Sequence, residues 1–309
     1  MSALSVDPLW PRAGDWPTPH PGGDDAGWDA VLLGVPAWRT SLSPTGAGET
    51  PAAVREALRR YSPTLIGPPA VDLNETLRIA DAGDVAEPDG RDGEERVRAA
   101  VRELDSARLV IALGGDNSAT YAVAQGRGAR GLITLDAHFD LRDGESNGSP
   151  VRRLIADGLD PRRIVQIGIA DFANSAAYAR RAADAGITVI TLDEVRRRGI
   201  DAVVAEALRI AGGRGGPATD TDGVPGGIHV DVDVDVCDRA VAPGCPASVP
   251  GGLAAWELRA LVRGLARDPG VVSADIVEVD ATADTDDART VRLAALCVLE
   301  LLAGMGERR

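Results

Sequence analysis

Short apolar runs alternate with amphipathic stretches along the chain from residue 31 onward. Apolar runs bounded by Gly, Pro or Asp are typical of buried strands, and apolar residues at helical spacing are typical of helices that cover a sheet. The strand pattern occurs at 31–36, 109–114, 131–136, 164–169, 188–192, 228–236 and 271–279, and more weakly at 77–80. The helical pattern occurs at about 51–60, 93–106, 118–125, 175–185, 201–211, 253–266 and 288–303.

Alternation of strands and helices predicts an α/β fold: a three-layer αβα sandwich around a mostly parallel central sheet of about eight strands. Residues 1–28 show neither period, so we expect an extended N-terminal arm there. Residues 29–309 show no repeat and no break in composition, which predicts a single catalytic domain. The polar, glycine-rich segment 211–227 is expected to be a surface loop.

The charge balance limits the possible partners. The chain has 33 basic and 47 acidic residues, a net charge of -14, which disfavours nucleic acid and anionic membranes. Every basic residue is arginine, so an amine nucleophile or a phosphate-binding Walker lysine is excluded. Three cysteines without zinc-type spacing favour a reducing, cytoplasmic location, and no segment has the pattern of a signal peptide or a membrane span.

Three predicted strands run into polar residues at their carboxyl ends, where open α/β sheets form their sites. The strand at 109–114 leads to Asp116 and Asn117, and the next leads to Asp136, His138 and Asp140. In the third, acidic and apolar residues alternate; its acids are Asp231, Asp233 and Asp235.

So many like charges on one strand face require a cation. An exposed edge strand is the plain alternative, but the opposite face of this strand is apolar. A calcium loop is excluded, because Val236 and Ala242 stand where it needs glycine and glutamate. Oxygen ligands with one imidazole favour manganese, and shared carboxylates would suit a pair of ions.

Two other patterns are set aside. Gly126, Gly128 and Gly131 have the dinucleotide-binding spacing, but they precede a strand instead of following one. His229 lies at the start of its strand, so we expect a hydrogen-bonded core histidine rather than a ligand.

At these strand ends the sequence resembles the ureohydrolase superfamily of arginase, agmatinase and formimidoylglutamase. The most specific segment is Asp136-Ala137-His138-Phe139-Asp140. Residues 228–238 resemble the family's His-x-Ser-x-Asp-x-Asp-x-x-Asp strand, with Asp231 where serine is usual. Residues 277–280, Val-Glu-Val-Asp, also resemble a family segment, and Glu278 matches the acid that faces the substrate's amidine.

Two positions depart from the family pattern. Asn117 stands where histidine usually binds one manganese, and Asn147 stands where arginases and agmatinases tend to have a histidine proton shuttle. Asparagine still offers a carbonyl oxygen, so the site that uses Asn117 is expected to bind its ion more weakly. Residues 136–142, Asp-Ala-His-Phe-Asp-Leu-Arg, look most like formimidoylglutamase, whereas residues 114–118 look more like arginase and agmatinase.

The resemblance implies a cytoplasmic, homo-oligomeric hydrolase with two Mn²⁺ per chain and a small-molecule substrate. The implied reaction is hydrolysis of N-formimino-L-glutamate to L-glutamate and formamide, a step of histidine degradation. Asp140 and Glu278 would be catalytic. The implied metal ligands are Asn117, Asp136, His138, Asp140, Asp233 and Asp235. The implied substrate-binding residues are Arg142, Asn147, Ser149 and Glu278.

A dicarboxylate substrate requires local positive charge. Arg142 follows the metal motif and is the favoured partner of a carboxylate, while Arg152 and Arg153 could equally be a solvated helix start. Two other functions stay open: hydrolysis of a guanidino compound with release of urea, and a catalytically silent regulatory subunit that has lost the two histidines.

Overall fold

The structure is a computed structural model that describes residues 7–19, 27–213 and 227–308. Its strands are β1 (Trp28–Val35), β2 (Thr64–Leu65), β3 (Val71–Asp72), β4 (Ile79–Asp84), β5 (Ala107–Gly114), β6 (Gly131–Leu135), β7 (Ile164–Ile169), β8 (Thr188–Thr191), β9 (Ile228–Asp233) and β10 (Val271–Val277). Its α-helices are α1 (Thr50–Leu58), α2 (Leu73–Thr76), α3 (Gly90–Glu103), α4 (Ser118–Gly126), α5 (Pro150–Ala156), α6 (Ala176–Ala185), α7 (Leu192–Arg198), α8 (Ile200–Ala211), α9 (Ala255–Ala266) and α10 (Arg289–Gly306).

Eight strands form one sheet in the order β4-β1-β5-β10-β9-β6-β7-β8, and every neighbouring pair is parallel. The predicted α/β sandwich is therefore confirmed, with a wholly parallel main sheet. All eight predicted strands belong to it. Only the antiparallel pair β2–β3 lies outside it among the described residues.

Helices cover both faces of the sheet. On one face, apolar side chains of α1, α7, α8, α9 and α10 pack on alternate strand positions such as Leu109, Ile111 and Leu113. On the other face, α3, α4, α5 and α6 pack on the intervening positions, among them Leu33 and Leu132. Because both faces are covered, β5 and β6 are apolar nearly throughout, as the sequence pattern predicts, whereas β9 and β10 between them also bury polar residues.

The sequence pattern missed the helices α2, α5 and α7. In α7, only Val195 is buried, so the helix has almost no apolar stripe to detect. Thr191 and Glu194 form a capping box at its start instead. The predicted strand at 228–236 is too long at its end, because Val234–Val236 forms a 3-10 turn.

The two predicted terminal and loop segments are only partly described. Residues 7–19 contain no helix or strand. Ala13 is nevertheless buried in the core, and the Trp16 indole donates to Oδ1 of Asn74 over 2.9 Å. Of the predicted surface loop 211–227, residues 214–226 lie outside the described residues, as do 1–6 and 20–26 of the arm. The division into an arm and one catalytic domain stays a prediction.

No helix among residues 7–19, 27–213 and 227–308 has the length and apolar character needed to cross a lipid bilayer.

Candidate metal centre at the carboxyl edge of the sheet

The four central strands β5, β10, β9 and β6 lie side by side, and each is followed by polar residues predicted from the sequence to form a site. Because the strands are parallel, these residues meet at one edge of the sheet. Asn117 and Glu278 follow β5 and β10. Asp233 ends β9, and Asp136 follows β6 directly.

The segment after β6 turns back over the sheet edge. Asp136 is completely buried, and its Oδ1 accepts the backbone N–H of His138 over 2.6 Å. The Asn174 side chain accepts the N–H of Phe139 over 3.1 Å and donates to the carbonyl of Ala137 over 2.8 Å. These bonds hold the segment that carries the predicted ligands.

Asp140 adopts a left-handed backbone with φ 51°, and Glu278 does the same with φ 62°. Such a conformation is uncommon for residues with a side chain and costs of order 1–3 kcal/mol. Both residues were predicted to be catalytic, so the strained positions coincide with the predicted chemistry.

The turn after β9 brings a second acid to the same place. Oδ1 of Asp233 accepts the backbone N–H of Asp235 over 2.9 Å, which caps the 3-10 turn Val234–Val236. Asp235 is buried in this turn, and its Oδ2 lies 3.0 Å from Nδ1 of His138. The strand does not display its acids in one exposed row; Asp231 is buried within the sheet.

Two groups of side chains place their potential ligand atoms within 4.8 Å of one another. One consists of Asp136, His138 and Asp235, and the other of Asp136, Asp140 and Asp233. Asp136 belongs to both. The geometry therefore matches two neighbouring cation sites that share a carboxylate.

Burial raises the pKa values of several acids in this cluster. Burial and the charge of Asp235 raise the pKa of Asp136 to about 6, although the adjacent His138 lowers it. Burial and neighbouring acids raise the pKa of Asp140 and of Asp233 well above the usual aspartate value. Oδ2 of Asp136 is buried without a hydrogen-bond partner. Closely spaced acids with an unpartnered oxygen are the donor set that a hard divalent cation stabilises.

His138 is the one imidazole in the cluster. Burial lowers its pKa, but Asp235 and Asp136 outweigh burial and raise the pKa of His138 to about 12. Burial also raises the pKa of Asp235, and His138 reverses this, so the net shift is downward. In the metal-free protein, the imidazolium thus compensates part of the acidic charge that a bound ion would neutralise.

Asn117 is present at the cluster, but its amide is turned away from the predicted orientation. Its Nδ2 donates to Asp140 and, over 3.2 Å, to Asp233. Its Oδ1 accepts the hydroxyl of Thr120 over 2.6 Å. The nitrogen, not the carbonyl oxygen, therefore faces the acids in this arrangement, so the carbonyl ligation predicted for Asn117 requires a half-turn of the amide.

Glu278 lies beside this cluster in a buried position. Its Oε1 accepts the backbone N–H of Asn117 over 2.8 Å and Nδ2 of Asn147 over 2.7 Å. Burial and the charge of Asp116 raise the pKa of Glu278 to about 8, although the two hydrogen bonds lower it.

A pocket of about 240 Å³ opens over the cluster. Its lining includes His138, Asp140, Asp233, Asp235 and Glu278, together with two of the predicted substrate-binding residues, Arg142 and Asn147. Among the residues that the structure describes, Arg142 is the only arginine in the lining of this pocket.

Three residues near the motif do not have the positions proposed for them. Ser149 is buried and outside the pocket lining; its hydroxyl donates to the carbonyl of Ser146 over 2.8 Å. Arg152 donates to the carbonyls of Arg142 and Gly144, and Arg153 forms a bidentate pair with Glu94. The Ser149 hydroxyl thus stabilises its own loop, substrate binding by Ser149 stays a prediction, and neither Arg152 nor Arg153 is a freely solvated helix start.

The residues that form the other pocket walls were not predicted from the sequence. The loop after β1 contributes Ser41, Leu42, Ser43 and Thr45 to the pocket lining. The segment before and at the start of α6 contributes Asn174, Ser175 and Tyr178. Only the position of these segments after predicted strands could have indicated them. The expectation for His229 is confirmed: it is buried, with Nδ1 2.9 Å from Ser273 Oγ and Nε2 3.1 Å from Asp275 Oδ2.

Comparisons with known proteins agree with this geometry. A model of the arginase family matches residues 28–304. The formimidoylglutamase of Bacillus subtilis strain 168 is 34% identical over 298 residues, covering 91% of this chain and 90% of that protein. The guanidinopropionase of Pseudomonas aeruginosa is 34% identical over 301 residues, covering 92% and 89%. The crystal structure of the Bacillus subtilis formimidoylglutamase superposes with a TM-score of 0.87 at 32% identity, covering 99% and 95% of the two chains.

Proposed function

The chain belongs to the arginase family and is an amidine-hydrolysing enzyme, and on that premise we propose that it cleaves N-formimino-L-glutamate with water to L-glutamate and formamide. The observation that carries this proposal is the buried acidic cluster with an arginine at the wall of the same pocket. Similarity to formimidoylglutamases over about nine tenths of the chain supports the choice of substrate.

The proposed cofactor is a pair of Mn²⁺ ions. Asp136 would belong to both sites, with His138 and Asp235 completing one and Asp140 and Asp233 contributing to the other. Asn117 would join the second site through its carbonyl oxygen. When bound, the ions would lower the pKa of a water molecule and so supply a nucleophile at neutral pH.

Two acids would act on the substrate itself. Glu278 would hold the cationic nitrogen of the formimino group, and its burial strengthens that attraction because water is excluded. Asp140 would take the proton that the attacking water loses and pass it to the nitrogen of the departing glutamate. Asn147 has no titratable group and would not replace a histidine shuttle.

Arg142 would bind a carboxylate of the substrate. It is exposed and lines the pocket next to the acids, where the overall charge of -14 otherwise repels an anion. A guanidinium matches a carboxylate with two parallel hydrogen bonds.

A guanidino acid is the second candidate substrate, because the guanidinopropionase of Pseudomonas aeruginosa is as identical to this chain as the Bacillus formimidoylglutamase is. Arg142 and Glu278 would serve that substrate in the same way. The products distinguish the two reactions, since a guanidino compound releases urea.

Glutamate and formamide release by manganese-loaded protein tests the proposal, with Asp233→Ala prepared in parallel. Turnover that the variant lacks supports it. Urea from 3-guanidinopropionate, without turnover of the formimino substrate, would transfer the function to guanidino acids. Absence of both activities, together with absence of bound manganese, would make a silent regulatory subunit the better description.

We also propose a homo-oligomer in a reducing compartment such as the cytoplasm. The three cysteines are free and buried, which suits such a compartment. Light scattering after size exclusion would detect an oligomer as a multiple of the 32.0 kDa chain mass.

A further inference from the structure

We propose that Asn147 is a positioning residue: its carboxamide joins the loop after β1, residues 36–46, to Glu278 and thereby fixes which oxygen of Glu278 meets the substrate. This inference rests on the proposed hydrolysis, in which Glu278 holds the cationic nitrogen. It replaces the direct substrate contact that the sequence suggested for Asn147.

The two ends of the carboxamide have different partners. Oδ1 accepts the backbone N–H of Leu42 over 3.0 Å, and Nδ2 donates to Oε1 of Glu278 over 2.7 Å. The backbone N–H of Asn147 also points to the carbonyl of Thr40 at 3.4 Å. Three segments that follow β1, β6 and β10 therefore meet at this one side chain.

The bond to Glu278 is part of a convergent pair. The backbone N–H of Asn117 approaches the same Oε1 over 2.8 Å. Two donors on Oε1 fix the rotation of the carboxylate and leave Oε2 as the oxygen for a substrate cation. The Glu278 backbone is held as well, because its N–H donates to the carbonyl of Gly115 over 2.9 Å.

The loop of residues 36–46 is also attached on either side of Leu42; the N–H groups of Trp38 and Arg39, for example, donate to Asp89 over 2.9 and 2.8 Å. The hydroxyl of Ser41 donates to Asp116 over 2.5 Å, and the N–H of Gly46 donates to Asp280 over 2.8 Å. Leu42 lies between them, is largely exposed and lines the pocket. The Asn147 side chain thus holds Leu42, which lines the pocket from the middle of this loop.

A carboxamide accepts from Leu42 and donates to Glu278 at the same time. An acidic side chain of the same shape accepts from Leu42 but cannot donate to Glu278, and it places a second negative charge beside that carboxylate. Alanine offers neither group. The pair Asn147→Asp and Asn147→Ala therefore separates the two halves of the proposed role.

Two measurements test the proposal. Amide hydrogen exchange at Leu42 needs no substrate and reports the loop contact: we expect protection in wild type and Asn147→Asp, and at least tenfold faster exchange in Asn147→Ala. Steady-state kinetics report Glu278: we expect kcat to fall at least tenfold in both variants, with a smaller change in KM, because misorientation impairs the reacting geometry more than binding.

Thermal melting and manganese content identify a variant that merely fails to fold. Unchanged exchange at Leu42 in folded Asn147→Ala, or a kcat of folded Asn147→Asp within twofold of wild type, would overturn the proposal. If wild type does not hydrolyse N-formimino-L-glutamate, the proposed function fails separately. The kinetic comparison is then made with 3-guanidinopropionate, and if neither substrate turns over, the kinetic role is rejected while the exchange result still decides the loop contact.

Discussion

The hydroxyl of Thr120 donates to Oδ1 of Asn117 over 2.6 Å, and both residues are buried. A hydroxyl can also accept a hydrogen bond, so Thr120 can partner either end of the Asn117 amide. A half-turn of the amide would direct Oδ1 to the acids and Nδ2 to Thr120. The hydrogen bond to Thr120 therefore allows Asn117 to turn its carbonyl oxygen toward a metal ion. Because the amide must first turn, we expect this ion to bind weakly.

We therefore expect Asn117 to limit the affinity of one of two manganese sites. Asn117→Ala should lower the manganese content from about two to about one ion per chain, because the second site loses a ligand. Asn117→His should tighten the weaker site about tenfold, since imidazole is a better ligand than an amide oxygen. Calorimetric titration with Mn²⁺ measures both. Two ions bound with wild-type affinity in Asn117→Ala would exclude the residue as a ligand.

The metal-free protein should lose stability as the pH rises from about 4 to 8, first through Asp136 and then through His138. The pKa of Asp136 is about 6 in the folded chain against 3.8 for a free aspartate, so stability is fully present below pH 3.8 and is lost as the pH passes 6. The pKa of His138 is raised from 6.5 to about 12, so its contribution is lost between these values. The change for Asp136 alone corresponds to about 3 kcal/mol.

Thermal melting with and without Mn²⁺ across this pH range checks the sign. Manganese should raise the melting temperature more at pH 8 than at pH 5, because protons and metal compete for the same carboxylates. Asp136→Asn removes the titrating acid and should flatten the pH dependence of the metal-free protein. A metal-free protein that becomes more stable toward pH 8 would contradict the assignment.

Replacement of Arg142 should weaken substrate binding. Arg142→Met keeps an apolar stem but removes the guanidinium, and we expect KM for N-formimino-L-glutamate to rise about tenfold to a hundredfold. This corresponds to loss of a hydrogen bond to a charged group, about 1.5–3 kcal/mol. Arg162→Met removes the same charge from an exposed pair with Asp160, outside the pocket lining, and is the matched control. Equal KM values in the two variants would reject Arg142 as the carboxylate partner.

Gly115 should not tolerate a side chain. A Cβ at this position would lie 1.8 Å from the carbonyl oxygen of Ala37, a backbone atom that cannot rotate away. The carbonyl of Gly115 also accepts the N–H of Glu278. Overpacking typically costs about 1–3 kcal/mol and occasionally more. We therefore expect Gly115→Ala to lower the free energy of unfolding by at least this amount and to displace Glu278.

Urea unfolding and kcat measure the two effects of Gly115→Ala. Gly67→Ala is the control, because a Cβ there meets only the carbonyl of Pro69 at 3.6 Å. A Gly115→Ala variant as stable and as active as Gly67→Ala would show that the two segments can separate at no cost.

The fold class could be predicted from the sequence alone, because a parallel sheet covered by helices on both faces imposes a hydrophobic pattern on its strands. Uniformly apolar runs such as 109–114 and 164–169 followed by amphipathic helices leave few other architectures. Acids placed directly after those runs also indicated the edge at which they meet. Asp136 and Asp140 were predicted in this way, whereas the choice of Asp233 within its acidic strand followed from the family resemblance.

The hydrophobic pattern did not predict the helices that lack a clear apolar stripe. Helix α7 is stabilised at its start by the side chains of Thr191 and Glu194, and α5 is a helix of only seven residues that begins at Pro150. Asp235 was expected on a strand, whereas it lies in a 3-10 turn capped by Asp233. Such choices depend on single side-chain hydrogen bonds, which leave no periodic signal.

The sequence by itself determined the main sheet, most of its covering helices and the acids at its edge, since these follow from periodicity and from the order of residues along the chain. Only the tertiary structure decided the orientation of the Asn117 amide, the removal of Ser149 from the pocket and the double contact of Asn147. Each of these depends on partners far apart in sequence: Leu42, Asn147 and Glu278 become neighbours only when β1, β6 and β10 end at one edge. The local sequence pattern does not show which hydrogen-bond donor meets which acceptor across three loops, because the packing of the folded chain decides that pairing.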